Sequence, residues 1–128
     1  MVRIVTQLII ANPLDKTKSI QCSALVDTGA SHLVLPMAWK EKLGKLETED
    51  TVEFETATQS VETGKVCGPV RIDIEGFRPI HSEVLFTEMH PENGIYEPLL
   101  GYIALEQAQA AVDMLGHRLV HMKRLDLK

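Results

Sequence analysis

The stretch Ala24-Leu25-Val26-Asp27-Thr28-Gly29-Ala30-Ser31-His32-Leu33-Val34-Leu35-Pro36 places a single acid between two apolar runs. Small residues follow Asp27, and the second apolar run begins at Leu33. Desolvation in such surroundings disfavours a charged carboxylate. Asp and Gly are also favoured in ordinary turns at strand ends. A turn alone does not explain why apolar strands continue on both sides, so Asp27 is the first candidate for a chemical role.

Length and composition limit the classes of protein that this chain can belong to. Its 128 residues suit one domain, 1–128, and its 45% hydrophobic and 24% charged residues are typical of a folded soluble domain rather than a disordered one. The net charge is −5, with 13 basic and 18 acidic residues. Because there is no basic cluster, we expect no nucleic-acid partner. No 18 apolar residues run together, so we expect no membrane span.

The expected location follows from the N-terminus and the cysteines. The apolar stretch within residues 1–13 is too short for a signal peptide. Cys22 and Cys67 are too few for a disulfide framework. We therefore expect a reducing, cytoplasmic setting.

Alternating apolar residues predict a chain dominated by short strands. One helix is convincing, at residues 103–111, and a short helical stretch over 37–43 is stopped by Gly44. About seven strands with one main helix predict a mostly-β domain, either closed or sandwich-like. The clearest strand segments are residues 2–10, 19–26, 52–55, 70–74, 80–86 and 117–122.

Five carboxylates fall within residues 47–55, in and beside one of these strand segments. The simpler interpretation is a solvated strand face. The alternative is that the acids favour basic substrates or partners.

Two motifs together resemble a known family. Leu25-Val26-Asp27-Thr28-Gly29-Ala30-Ser31 is followed, about 70 residues later, by Leu99-Leu100-Gly101 just ahead of the predicted helix. This pair resembles the retropepsin-like aspartic proteases, specifically their bacterial single-domain branch. The resemblance covers about residues 2–122. It implies a closed-barrel-like, half-pepsin fold, with a flap hairpin whose tip falls near residues 56–59.

The resemblance also implies an activity and a partner. The expected activity is that of an aspartic endopeptidase acting on a peptide or protein, without metal or cofactor. Such hydrolysis uses two carboxylates that share a proton. Since this chain has one Asp-Thr-Gly, a family-like mechanism requires a homodimer in which Asp27 of each subunit meets at the two-fold axis.

The resemblance assigns a role to each site residue. Thr28 would bond across the axis to the other subunit, and Gly29 would let the backbone approach the second carboxylate and the substrate. Ala30 and Ser31 would line the peptide groove. Ala57 and Thr58 would contact substrate from the flap.

The sequence also departs from the retroviral pattern. Retroviral enzymes often carry an acid where Ser31 stands and an Arg where Tyr102 stands. The flap candidate, residues 56–59, has no glycine-rich tip. The unusual flap and the absence of a second domain support an alternative, a catalytically weak or inactive retropepsin-like module for dimerisation or peptide binding.

Three other patterns suggest different chemistry. His117 and His121 have the spacing of a metal-binding helix, but their segment predicts a strand in which they share one face. Ser31 and His32 suggest a hydrolase pair, yet we expect adjacent residues not to reach each other and see no nucleophile elbow. Cys67 is a candidate thiol nucleophile, for which burial is the simpler interpretation.

Overall fold

The computed structural model describes residues 3–123, and most of that chain is β-strand. A 3₁₀ turn (Met37–Trp39) leads into α1 (Lys40–Leu43), and the second helix, α2, covers Tyr102–Gln107. The strands are β1 (Val5–Asn12), β2 (Asp15–Val26), β3 (Leu33–Pro36), β4 (Thr48–Glu55), β5 (Val61–Ile74), β6 (Ile80–Thr87), β7 (Leu99–Leu100), β8 (Ala110–Asp113) and β9 (Arg118–His121).

Seven strands form one sheet that partly closes on itself. Their order is β1-β2-β7-β3-β6-β5-β4, and β1 also pairs with β5, which joins the sheet into a ring. The remaining strands, β8 and β9, make a separate two-stranded sheet. The prediction of a mostly-β, closed-barrel-like fold is confirmed.

The core follows the alternation in the sequence. On β2, Ile20 and Ala24 are buried and Cys22 and Val26 are half-buried on the same face. Fully burying a large apolar side chain such as that of Ile20 contributes about 1.5–3 kcal/mol. The largest fully buried side chains come from several strands and from α1, and they include Leu8, Ile10, Leu33, Leu35, Leu43, Ile72, Ile74, Val84, Phe86 and Leu100.

The predicted helix over 103–111 is shorter than expected. Helix α2 begins at Tyr102 and ends at Gln107. Gln109 then has a φ of 57°, which breaks the helical path. Ala110 and Ala111 pair with β9 instead. The prediction for residues 108–111 was wrong because strand pairing overrides their helix propensity.

The hairpin predicted as the flap is formed by β4 and β5. These strands pair antiparallel from Thr48↔Gly68 to Glu55↔Val61, and residues 56–60 make the turn. The carboxylates of β4 are exposed, as expected for a solvated face. Glu49 differs from the others, because it pairs with Lys40 of α1 and with Lys65 of β5.

Each predicted strand segment is present, and each differs at one or both ends from the prediction. β2, β4 and β5 begin four, four and nine residues earlier than predicted. The first was predicted from residue 2, which lies outside the described residues, and β1 begins at Val5. The last, predicted over 117–122, is β9 over Arg118–His121. Within residues 3–123, no helix is long and apolar enough to cross a membrane.

Candidate active site

Asp27 lies directly after β2, in a turn that holds its carboxylate. The Asp27 N–H donates to the Leu100 carbonyl at 3.0 Å, which ties the start of the turn to β7. Asp27 Oδ1 accepts a hydrogen bond from the Gly29 N–H at 2.9 Å, and the Asp27 carbonyl accepts one from the Ala30 N–H at 3.1 Å. Within the described chain Oδ2 accepts none, so this oxygen of the half-buried carboxylate is available for chemistry.

Gly29 lies against that carboxylate. A Cβ at this position would stand 3.2 Å from Asp27 Oδ1, closer than most side-chain contacts. Gly29 therefore lies close to the carboxylate of its own subunit, and its approach to a second carboxylate and to substrate stays a prediction. Thr28 and Gly29 are both exposed, so the turn faces away from the core.

The second signature supports the first through β7. This short strand lies between β2 and β3, parallel to one and antiparallel to the other. A Cβ on Gly101 would stand 2.5 Å from the His32 carbonyl oxygen and 2.6 Å from that of Ala30. Only a glycine lets the end of β7 pack this closely on the Asp27 turn.

Helix α2 then contacts the same turn through its first residues. The Tyr102 N–H donates to the Ala30 carbonyl at 2.9 Å, and the Ile103 N–H donates to the Ser31 carbonyl at 3.2 Å. These N–H groups have no partner within a helix, so the turn satisfies them. Leu99-Leu100-Gly101 and the residues that follow thus fix the backbone of residues 27–31.

The predicted substrate residues fall into two groups. Ala30 and Ser31 are half-buried beside Asp27, whereas Ala57 and Thr58 are exposed at the flap tip. The Thr56 N–H donates to the Ser60 carbonyl at 2.9 Å and closes the tip. Among residues 3–123, no hydrogen bond joins the tip to the Asp27 turn.

The sequence gives no clear signal for a groove that lies beside the flap. It has a volume of about 1120 Å³ and lies between residues 61–63 of the flap and residues 87–90, at and just after the end of β6. Arg3 and Glu97, which form an ion pair, also line it. Asp27 is not among the lining residues.

The groove is nevertheless attached to the strand that leads to Asp27. The Ile4 carbonyl accepts a hydrogen bond from the Val26 N–H at 2.8 Å. The Pro98 carbonyl accepts one from the Leu25 N–H at 2.8 Å. The residues next to Arg3 and Glu97 therefore bond to the end of β2.

Ser31 and His32 do contact each other, contrary to the prediction. Ser31 Oγ lies 2.8 Å from His32 Nδ1. His32 Nε2 lies 3.9 Å from Glu83 Oε1 on β6. β3 runs parallel to β6 with Leu33 opposite Val84, so the residues just before each of these, His32 and Glu83, are neighbours. Sequence spacing gave no sign of this pairing between strands.

The surroundings of the other candidates, His117, His121 and Cys67, indicate structural roles. His117 lies in a turn with a φ of 52°, so the prediction that it shares a strand face with His121 was wrong. His121 Nε2 is 2.8 Å from the Gly76 carbonyl oxygen, and its ring lies on Phe77. Cys67 is buried, and both burial and the nearby Glu49 carboxylate raise the pKa of its thiol.

One Asp-Thr-Gly turn, held by an apolar-apolar-Gly strand end in a partly closed barrel, is the arrangement of a retropepsin-like aspartic protease domain. A family model described as aspartyl protease matches residues 16–103, which is more than half of the chain. The chain therefore belongs to this aspartyl protease family of the retropepsin-like clan, and membership supports a peptide hydrolase. None of the curated proteins compared with the chain matches it.

Proposed function

We propose that this protein is an aspartic endopeptidase that works as a homodimer. The observation that carries the proposal is the single Asp-Thr-Gly turn, with Asp27 Oδ1 held by Gly29. Hydrolysis by carboxylates alone needs one group to take a proton from water and another to give one to the substrate. Two-fold symmetry provides the second group as Asp27 of the other subunit.

The exposed surface around the turn suits such an assembly. Thr28 and Gly29 are exposed, as residues at a two-fold contact must be in a single subunit. Tyr102, which follows the glycine packed on the turn, is an exposed large apolar residue. Association of two subunits would remove apolar surface of this kind from water.

In the proposed dimer, two adjacent carboxylates share one proton, because both cannot readily ionise at close range. The ionised member takes a proton from a water whose oxygen attacks the peptide carbonyl carbon, and the protonated member gives its proton to the carbonyl oxygen. The C–N bond of the tetrahedral intermediate then breaks as the amine nitrogen receives the proton taken from the water, and one hydroxyl of the intermediate returns its proton to the other carboxylate. The flap closes over the substrate and excludes bulk water. The peptide binds as an added strand, so side-chain pockets determine which sequences are cleaved.

The proposed setting is the reducing environment of the cytoplasm. The two cysteines are free thiols, and Cys67 is buried within the β-barrel core. Disulfides are rare in reducing compartments, where free thiols persist.

Replacing Asp27 with Asn tests the proposal directly. Cleavage of a peptide library between about pH 4 and 7 should fall at least about a hundredfold, as expected when an acid–base group is removed. Asp50→Asn is the matched control, because Asp50 is exposed on β4. Unchanged cleavage by Asp27→Asn would overturn the proposal.

The mass in solution provides a second check. We expect a dimer at concentrations where cleavage is measured, and a strictly monomeric active protein would contradict the shared dyad. Peptide binding without turnover, unaffected by Asp27→Asn, would instead favour the non-catalytic binding module.

A further inference from the structure

We infer that neutral His32, with the Glu83 carboxylate near its Nε2, sets the direction of the Ser31 hydroxyl and thereby makes Ser31 an acceptor for a substrate N–H group. The inference rests on the proposed function, since it concerns a residue of the proposed peptide groove. Ser31 belongs to the Asp27 turn, and its carbonyl is fixed by the Ile103 N–H. His32 is in this sense a positioning residue, acting on substrate only through Ser31.

The fold brings the three side chains together. Ser31 Oγ is 2.8 Å from His32 Nδ1, and His32 Nε2 is 3.9 Å from Glu83 Oε1. Side chains of His32 and Glu83 are 26% and 54% exposed, so the ring is more sheltered than the carboxylate. Within the described chain, Glu83 is the only carboxylate within 4.0 Å of the ring nitrogens.

The charge of Glu83 selects one form of the ring. A neutral imidazole carries its proton on one nitrogen and accepts at the other. An ionised carboxylate near Nε2 favours the form with the proton on Nε2. Nδ1 is then an acceptor, so the Ser31 hydroxyl donates its only proton to it.

The hydrogen bond that the Ser31 hydroxyl donates to His32 limits the hydrogen bonds that it can form with a peptide. A hydroxyl has one donor and two acceptor lone pairs. Because the donor is used by His32, only lone pairs remain for a ligand. Ser31 therefore favours a main-chain or side-chain N–H of the substrate and disfavours a carbonyl at the same place.

The ring form can be measured without any enzymatic assay. Long-range ¹H–¹⁵N NMR of histidine-labelled protein at roughly pH 8, where imidazoles are neutral, reports which nitrogen carries the proton. We expect the Nε2–H form for His32 and a reduced preference for it in Glu83→Ala. His81, which is exposed on β6 like Glu83, is the reference in the same spectrum. An Nδ1–H form of His32 would overturn the inference.

Kinetics at about pH 7 or just above, where an ordinary imidazole is mostly neutral, test the consequence for substrate. His32→Phe should raise KM about threefold to tenfold, the range of one hydrogen bond, with kcat within twofold. His32→Asn keeps an acceptor near the position of Nδ1 and should restore KM. His81→Phe is the matched control and should leave KM unchanged. A fall in kcat alone, or no change with His32→Phe, would contradict the positioning role.

A double-mutant cycle shows whether His32 acts through Ser31. Ser31→Ala should raise KM by the same factor as His32→Phe, and the double variant should be no worse than either single variant. Fully additive effects would overturn the inference.

An ester scan identifies the substrate group that Ser31 binds. Replacing one peptide N–H of the substrate with an ester oxygen should weaken binding to the wild type but not to Ser31→Ala.

Failure of this inference can be separated from failure of the proposed function. If the wild type cleaves no peptide, the protease proposal fails, and the NMR result still decides the direction of the Ser31 hydroxyl. If the wild type is active but the ring has the Nδ1–H form, only the present inference fails.

Discussion

Gly101 shows how one residue supports the candidate site from outside the Asp-Thr-Gly turn. An added methyl group would stand 2.5 Å and 2.6 Å from two carbonyl oxygens of residues 30–32. Backbone oxygens cannot move aside as a flexible side chain can. We expect Gly101→Ala to lower the free energy of unfolding by about 1–3 kcal/mol, the usual cost of overpacking. Urea denaturation measures this change, provided that the m-value of the variant equals that of the wild type.

Gly29→Ala is the comparison for that experiment. Its Cβ would meet only Asp27 Oδ1, at 3.2 Å, so stability should change less than in Gly101→Ala. Cleavage should fall, because the added methyl group crowds the carboxylate. If Gly101→Ala were as stable as the wild type, the backbone at the end of β7 would not be packed closely against the Asp27 turn.

Cys22 illustrates how burial controls reactivity at a single residue. Desolvation raises the pKa of its thiol to about 11. Far less thiolate is then present at pH 8 than for an ordinary cysteine, whose pKa is about 8.5. Alkylation of Cys22 by iodoacetamide should therefore be at least about a hundredfold slower in the folded protein than in guanidinium chloride. Mass spectrometry over time measures both rates, and equal rates would contradict the burial.

At this scale the sequence predicted local chemistry better than contacts between strands. Asp27 and Gly29 were recognised because their neighbours along the chain form the motif. The partnership of His32 with Glu83 depends on the parallel register of β3 and β6, which alternation cannot reveal. The ion pair of Arg3 with Glu97 is likewise formed by residues distant in the chain.

Among the secondary-structure elements, strands were predicted better than the end of α2. Alternating apolar residues identified β2 and β6 because a half-buried strand exposes every second residue. Residues 108–111 favour a helix by composition, but the Met122 N–H donates to the Gln109 carbonyl at 2.7 Å and Ala110 pairs with His121. Pairing with β9, which propensity does not include, decided the outcome.

The root of the flap is tied to α1 by charge, which predicts a pH dependence for β4. A hydrogen bond from Lys40, followed by one from Lys65, holds the pKa of Glu49 below its usual range. The stabilisation is therefore present above the unfolded pKa, about 4.3, and is lost as the pH falls through the lower folded value. Glu49→Gln should lower Tm by about 1–3 °C near pH 7 and have no effect near pH 2.

Glu53→Gln provides the matched control, because Glu53 is exposed on the same strand. Its Tm should equal that of the wild type at both pH values. In about 1 M salt the difference between Glu49→Gln and the wild type should shrink, since exposed ion pairs are screened. A difference that persisted at acid pH would indicate packing rather than charge.

For the whole molecule, the size of the chain limits how much of the proposed active site one subunit can contain. The barrel described by residues 3–123 provides one Asp27 turn and one flap, with a groove of about 1120 Å³ beside the flap. Acid–base hydrolysis by carboxylates needs two such groups in proximity. A barrel of this size therefore contains half of the proposed site, and symmetry would provide the other half.

Subunit mixing tests this arrangement directly. If each active dimer needs Asp27 from both subunits, an Asp27→Asn chain inactivates every wild-type subunit with which it pairs. With random exchange, an equal amount of Asp27→Asn should halve the activity of a fixed amount of wild type, and a ninefold excess should reduce it to about one-tenth. The same excess of an unrelated inert protein should have no effect. Native mass spectrometry verifies that mixed dimers form, and full activity in their presence would show that one Asp27 suffices.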